Sequence, residues 1–414
     1  MSSTARVSLF LLMTNLIWLV VCEQASPAEE LSSIEFSEHL IGGDYAYAYG
    51  IAAADFDQDG DLDLSSADYT PHNRLYLYEN DGNGEFRKHI IQKDDPERLE
   101  RHLVGDVDND GDLDIVIVKN LNGHLLWFEN DGSPTDDQLW KRHVITTNLP
   151  GAYDVALADF NNDGHLDVAG SSWVLGNQYA WFENSGNPAH GEWKKHIIEK
   201  EVRETRTMRA ADFDGDGDAD LLGTARGIDE TVWFENVPGE KGIRWTKHII
   251  DNQSDCPAHG NPVDMDGDGD LDVVMALGFY FRPDGSDETA SQRSEENQIV
   301  WYENDQPRGG PWKKHIIKTH FDDAFEATAA DLDADGDIDV VATTWRNPGR
   351  IAWFENTGDP AGTWKYHPLK ENWRSANQVI IADMNGDGKP DIIACAERGS
   401  VEVRWWRNEG RPDK

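Results

Sequence analysis

Residues 55–63 read Asp55-Phe56-Asp57-Gln58-Asp59-Gly60-Asp61-Leu62-Asp63. Carboxylates at positions 1, 3, 5 and 9 of such a stretch, with glycine at 6, describe a tight loop wrapped around a hard cation. Ca2+ takes about six to eight oxygens at roughly 2.3–2.6 Å, and alternate side chains of a turning loop supply most of them. The glycine lets the backbone turn where a Cβ would clash. An EF-hand loop would need an acid at position 12, which here is Ser66. The chain continues as Leu64-Ser65-Ser66-Ala67, a short strand, so the stretch reads as a calcium loop at the tip of a β-hairpin.

The pattern occurs seven times. Its odd positions are Asp55, Asp57, Asp59, Asp61 and Asp63; Asp106, Asp108, Asp110, Asp112 and Asp114; and Asp159, Asn161, Asp163, His165 and Asp167. They continue as Asp212, Asp214, Asp216, Asp218 and Asp220, then Asp264, Asp266, Asp268, Asp270 and Asp272. The last two sets are Asp331, Asp333, Asp335, Asp337 and Asp339, and Asp383, Asn385, Asp387, Lys389 and Asp391. Up to seven Ca2+ ions are expected. The loops start 51, 53, 53, 52, 67 and 52 residues apart, a period that signals a propeller or solenoid.

Each repeat has the same grammar. A small-residue strand such as Ile51-Ala52-Ala53-Ala54 precedes the loop, and one such as Asp114-Ile115-Val116-Ile117-Val118 follows it. A third strand carries Trp127-Phe128-Glu129-Asn130 or its equivalent, and a fourth resembles Trp193-Lys194-Lys195-His196-Ile197-Ile198. Four short antiparallel strands per repeat make a propeller blade. The chain begins with a fourth strand, Phe36 to Ile41, and ends with a third, Val403 to Arg407. The expected fold is therefore all-β, a seven-bladed β-propeller of four-stranded antiparallel blades. The N-terminal strand joins the last blade and removes the exposed edges.

Residues 1–28 stand apart. Arg6, the apolar run Val7 to Val21 and the small residues Ala25 and Ala28 describe a secretory signal peptide, which leaves 29–414 as a single propeller domain. About 15 apolar residues fall short of the roughly 20 that span a membrane. Cys22 after Leu19-Val20-Val21 resembles a bacterial lipobox, with Val21 where a small residue is expected, and offers lipid anchoring as the alternative. Cys256 and Cys395 fall on different repeats, so no disulfide framework is expected. The net charge of −41 excludes nucleic acid, which wants a basic face. Five loops carry five Asp each and two carry three, so 31 of the 78 acids lie in the loops. A secreted, periplasmic or cell-surface location follows, where calcium at about millimolar levels suits weak modules.

Seven copies of Asp-x-Asp-x-Asp-Gly-Asp-x-Asp between strands resemble the VCBS and FG-GAP repeat family, which includes the integrin α-subunit propeller. The resemblance covers residues 34–408 and implies side-chain ligands from positions 1, 3, 5 and 9 and a main-chain oxygen from position 7. The Phe-Gly…Gly-Ala-Pro signature is absent, so the chain is more similar to bacterial VCBS-like proteins than to integrins. The Trp-Phe-Glu-Asn and Trp-Lys-Lys-His-Ile-Ile strands also resemble the propeller of the aldos-2-ulose dehydratase family, which is sugar-active; no catalytic residue is carried over from it.

Internal repetition separates scaffold from site. His39, His89, His143, His196, His248, His315 and His367 recur at one place in the fourth strand and are read as structural. Five residues before each loop the repeats instead diverge, as Gly50, Arg101, Asp154, Thr207, His259, Glu326 and Gln378, with His102, Arg206 and Arg209 beside them. These positions map to the face opposite the calcium loops, where the alternatives are a solvated rim and a polar site at the channel mouth. Trp173, Trp345 and Trp373 fall outside the repeat pattern and map to the same face, with Tyr45, Tyr47, Tyr49, Tyr69 and Tyr153. One insertion lengthens the Asp272–Glu303 connection to 31 residues against 15–16 elsewhere; it starts at Phe279 and was expected to reach over the mouth.

The functional expectation is a ligand-binding propeller for glycan or polysaccharide. Its candidate ligand residues are Arg101, Asp154, Trp173, Arg206, Arg209, His259, Glu326, Trp345 and Trp373. The alternatives are a sugar-active lyase, dehydratase or hydrolase using Arg101, His102, Asp154, His259 and Glu326, and a protein-binding adhesion module. Arg101 and His259, three blades apart, are expected to face each other across the mouth and to be dispensable for stability.

Overall fold

The computed structural model describes residues 34–412 except 70, 97, 241, 280–296, 309 and 346–347. The signal-peptide reading of residues 1–28, the Cys22 anchor and nearly all of the insertion after Phe279 lie outside the described residues. Among the described residues no helix is long and apolar enough to cross a membrane.

The first repeat forms the strands Ala48–Ala54, Asp63–Asp68, Arg74–Asn80 and Phe86–Gln92, paired antiparallel in chain order. The same order recurs over 102–146, 152–200, 205–251, 257–319 and 324–371. The last sheet holds Ala376–Ala382, Asp391–Ala396 and Glu402–Gly410, and its outer edge is covered by Glu35–Gly42, with His39 opposite Trp405. The fifth and sixth sheets also touch through one parallel pairing, His259 with Glu326.

Burial follows position in the sheet. The second strands, such as Asp63–Asp68 and Asp167–Ser172, are buried along their whole length, whereas the fourth strands expose much of theirs. The apolar core lies between facing sheets. Val116, Val118 and Trp127 of the second sheet pack on Val155, Val168 and Phe182 of the third, and Met384 and Trp405 of the last pack on Ile51, Leu64 and Tyr76 of the first. Each large side chain so buried contributes about 1.5–3 kcal/mol. The first strands neighbour one another in chain order, and Ala376–Ala382 lies against Ala48–Ala54.

Two repeated residues tie this packing together. The Asn ending the third strand reaches into the neighbouring sheet: Asn130 Nδ2 donates to the Phe56 carbonyl at 3.1 Å, and Asn184 to that of Val107 at 3.0 Å. Asn80 does the same to Met384 at 2.6 Å. The recurring histidines are structural. His143, His196, His248, His315 and His367 each stack on a third-strand Trp at 4.2–4.4 Å and hydrogen-bond the Glu two residues beyond it.

Candidate functional site

The seven acidic loops are built on one plan. The position-9 carboxylate is buried and accepts two backbone N–H groups; Asp63 takes those of Phe56 at 3.2 Å and Asn80 at 2.8 Å. Position 1 accepts the amide of position 6 in every loop and that of position 5 in five, as in Asp55 with Asp59 and Gly60; Asp212 and Asp264 instead take position 4, from Gly215 and Gly267. Glycine at position 6 has a φ near +100°, as at Gly60, and position 4 is left-handed too, at Gln58, Asn109, Asn162 and Ala334. Two departures from the right-handed region, with one residue between them, curl the loop back on itself.

In five loops this curl gathers carboxylate oxygens of positions 1, 3 and 9 within 4.8 Å of one another: Asp55, Asp57 and Asp63; Asp106, Asp108 and Asp114; Asp212, Asp214 and Asp220; Asp264, Asp266 and Asp272; Asp331, Asp333 and Asp339. Position 5 is outside these groups of three, and the loops from Asp159 and Asp383 have Asn161 and Asn385 at position 3. Position 7 instead meets the neighbouring loop: Asp112 accepts from Gln58 and Asp218 from Asn162, while His165 hydrogen-bonds Asn109. Burial pushes the position-9 carboxyls up, to about 7 at Asp63 and about 8 at Asp114. Asp108 Oδ1 is buried without a hydrogen-bond partner. Crowded carboxylates with an orphaned oxygen fit a hard, oxygen-seeking cation such as Ca2+.

At the other end of the first strands lies a cavity of about 390 Å³. Its aromatic wall is Tyr47, Tyr49, Tyr69, Tyr153, Trp173, Phe279, Phe325 and Trp345; its charged groups are Arg98, Glu100, Arg206, Glu397 and Arg398. First strands of up to seven residues separate it from the acidic loops by about 20 Å.

Glu397 accepts from Trp345 Nε1 and, at 3.2 Å, from Asn377 Nδ2, with Arg398 Nε 3.7 Å away. Burial pushes Glu397 up to about 7 and Glu100 up to about 8. Arg98 lies over Tyr69, its guanidinium carbon 4.3 Å from the ring centre. Arg206 donates from Nη1 to Tyr153 Oη at 2.6 Å.

The residues singled out five positions before each loop are placed differently from expectation. They are buried beneath this cavity, so neither a rim nor an open mouth describes them. Arg101 pairs with Glu326 through contacts of 2.6 and 3.3 Å. Arg209 bridges Asp154 at 2.7 Å and Glu326 at 3.4 Å. Two guanidiniums and two carboxylates thus partner one another, with Arg209 partly exposed, and Arg101 meets Glu326 rather than facing His259 across an open mouth. His259 is fully buried, stacked on Tyr153, and held neutral by burial and by Arg101, Arg206 and Arg209.

His102 is wedged between Ser65 Oγ at 2.8 Å and the Glu100 carbonyl at 3.4 Å, and burial lowers it to about 4. Gly50 is needed there: its φ is +80°, and a Cβ would meet the Glu100 carbonyl at 2.6 Å. Trp173 and Trp345 line the cavity. Trp373 does not; it is buried against Trp406 and donates to Glu402 at 2.6 Å. Tyr45 is likewise in the sheet core, bonded to Tyr78.

The signal that would have found the cavity is one residue upstream. There the first strands read Tyr49, Glu100, Tyr153, Arg206, Ala258, Phe325 and Asn377, and five of these seven line it. A register shift interrupts six of the seven first strands at this point, as between Ala152 and Val155 or Thr205 and Met208. Such bulges re-aim side chains, so simple alternation does not tell which neighbour faces outward.

Comparison with known proteins agrees with this architecture. The chain is similar to mouse (Mus musculus) cartilage acidic protein 1, 28% identical over 181 residues, which is 39% of this chain and 26% of that protein. The match therefore spans about a quarter of the relative's length. In fold it is similar to chains in two crystal structures of BBS1N in complex with ARL6DN, soaked with mercury or with lead. The TM-scores are 0.55 and 0.53 at 9% identity, over 93% and 92% of this chain and 97% and 98% of theirs. The FG-GAP-like repeat model matches residues 55–117, 106–170, 264–342 and 331–394. These matches cover more than half of the sequence, and the chain belongs to the FG-GAP-like repeat family of β-propellers.

Proposed function

We propose that this chain is an exported, calcium-binding, closed seven-bladed propeller that holds a glycan or polysaccharide in the cavity away from its calcium loops. Closure is supported by the pairing of Glu35–Gly42 with Glu402–Gly410 and by the contact of the first and last inner strands. Export is supported by Arg6 and the apolar run that follows it. The observation that carries the ligand reading is the lining itself. Flat aromatic faces stack on the apolar faces of sugar rings, and guanidinium, carboxyl and phenol groups between them bond the hydroxyls; sites of this kind are concave, largely apolar and few.

A second reading, a sugar-active enzyme, is favoured by one observation. Glu100 and Glu397 share the cavity with ionisation pushed up by burial, as general acids require. The residues for such chemistry are these two, and the buried Arg101, His102, Asp154, His259 and Glu326 support the floor. The test is binding of the calcium-loaded protein to an array of neutral and acidic glycans, followed by product analysis on the sugars retained. Retention without cleavage supports the binding module, and cleavage that Glu100→Gln or Glu397→Gln abolishes supports the enzyme. An array with no bound sugar removes both readings and leaves a protein partner as the occupant.

A further inference from the structure

Among the described residues, Arg206 is the guanidinium of this cavity that no carboxylate meets within ion-pair distance, although its residue is only 2% exposed. Arg98 has the rim and solvent, Arg398 has Glu397, and Arg101 and Arg209 have Glu326 and Asp154 beneath the floor. Arg206 instead has three aromatic faces, with its guanidinium carbon 4.8 Å from the Tyr153 ring, 5.0 Å from Phe279 and 5.4 Å from Trp173. Its Nη1 reaches the Tyr153 hydroxyl, and its Nε is buried with no hydrogen-bond partner.

A buried cation costs several kcal/mol unless a partner offsets it, and aromatic faces return about 2 kcal/mol. Burial accordingly pushes the ionisation of Arg206 downward, outweighing the opposing pull of Tyr153, Tyr49 and the more distant Glu204. A buried guanidinium that lines a cavity and keeps an N–H group without an acceptor is matched by an anion that can take it. The rest of the wall suits a ring.

We infer that the cavity takes a carboxylate-bearing sugar, a hexuronate unit, whose carboxylate pairs with the Arg206 guanidinium while its ring stacks on the surrounding aromatic wall. This rests on the glycan reading above and narrows it to acidic chains. The protein is strongly acidic, at −41 overall, so an anionic ligand depends on local cations, and of the cavity's Arg98, Arg206 and Arg398 it is Arg206 that is buried.

The test is calorimetric titration of oligogalacturonate and oligoglucuronate trisaccharides, and of their carboxyl-reduced counterparts, into the calcium-loaded protein and its Arg206→Gln and Arg206→Lys variants. Wild type is expected to bind an acidic trisaccharide at least about tenfold more tightly than its reduced form, the worth of one charge-assisted pair. Arg206→Gln should erase that difference without lowering the melting temperature, and Arg206→Lys should restore part of it. Equal binding of acid and reduced forms by wild type overturns the inference and leaves the glycan reading intact. An acid preference that survives in Arg206→Gln overturns it as well. If no trisaccharide binds, benzoate is titrated: binding that Arg206→Gln abolishes retains the carboxylate site and removes the sugar, and no binding removes both.

Discussion

Replacing Arg101 by Ala should destabilise the fold severely, because of where the structure puts its partner. Arg101 and Glu326 are each 1% exposed and joined by two contacts, 2.6 and 3.3 Å. Without the guanidinium, Glu326 keeps only Arg209, at 3.4 Å, and that arginine is already held at 2.7 Å by Asp154. One buried negative charge is left over. Breaking a buried pair from one side costs about 3–5 kcal/mol. The unit from Ile34 to Lys414 has about 380 residues. At about 2.1 cal/mol/K per residue its unfolding entropy is about 0.8 kcal/mol/K, so the loss corresponds to about 4–6 °C in Tm. Scanning calorimetry at saturating calcium measures it. The double variant Arg101→Met/Glu326→Met removes both charges and should recover most of the loss. A Tm for Arg101→Ala within about 1 °C of wild type refutes the reasoning, as does a double variant worse than either single one.

Calcium removal should lower the Tm substantially, since the carboxylates of up to seven loops lose their counter-charge together; an unchanged melt in EDTA counts against the loops as cation sites. The loops from Asp159 and Asp383, with Asn at position 3 and His165 or Lys389 at position 7, should empty first in a calcium titration. Deleting residues 35–42 bares Glu402–Gly410 as an edge, and the truncated protein should aggregate or unfold less cooperatively; a soluble monomer with the wild-type melt speaks against the N-terminal strand as the closing one. At saturating calcium, Glu100 and Glu397 give stability a pH slope. Their folded values, about 8 and about 7, exceed the ordinary 4.5, so the folded state holds more protons between 4.5 and those values; stability falls as pH rises across that window and levels off above it. Each group contributes at most about 1.4 kcal/mol per pH unit, and Glu100→Gln should flatten the slope between about pH 5 and 8; an unaltered profile means that Glu100 ionises freely.

The sequence by itself determined the repeat, its four-strand grammar, the position of the loops and the structural status of the fourth-strand histidines. All of these depend on local chemistry that recurs in each copy: Asp spacing and Gly60-like turns for the loops, and a Trp, Glu and His in register for the stacks. It also marked Trp173 and Trp345, because a residue present in one copy and absent from the others needs a reason outside the repeat. Only the tertiary structure decided what happens where the copies differ. It turned Arg101, Asp154, Arg209 and Glu326 onto one another from separate sheets, and it placed Trp373 in the core with Trp406. Glu397 lay at the end of a second strand with no local sign of a role until Trp345 and Asn377 from other strands met it. Pairing between charges on different sheets depends on the angle at which those sheets meet, and the bulge in six of the seven inner strands decides which of two adjacent side chains faces the cavity. Neither quantity is carried by residue spacing along the chain.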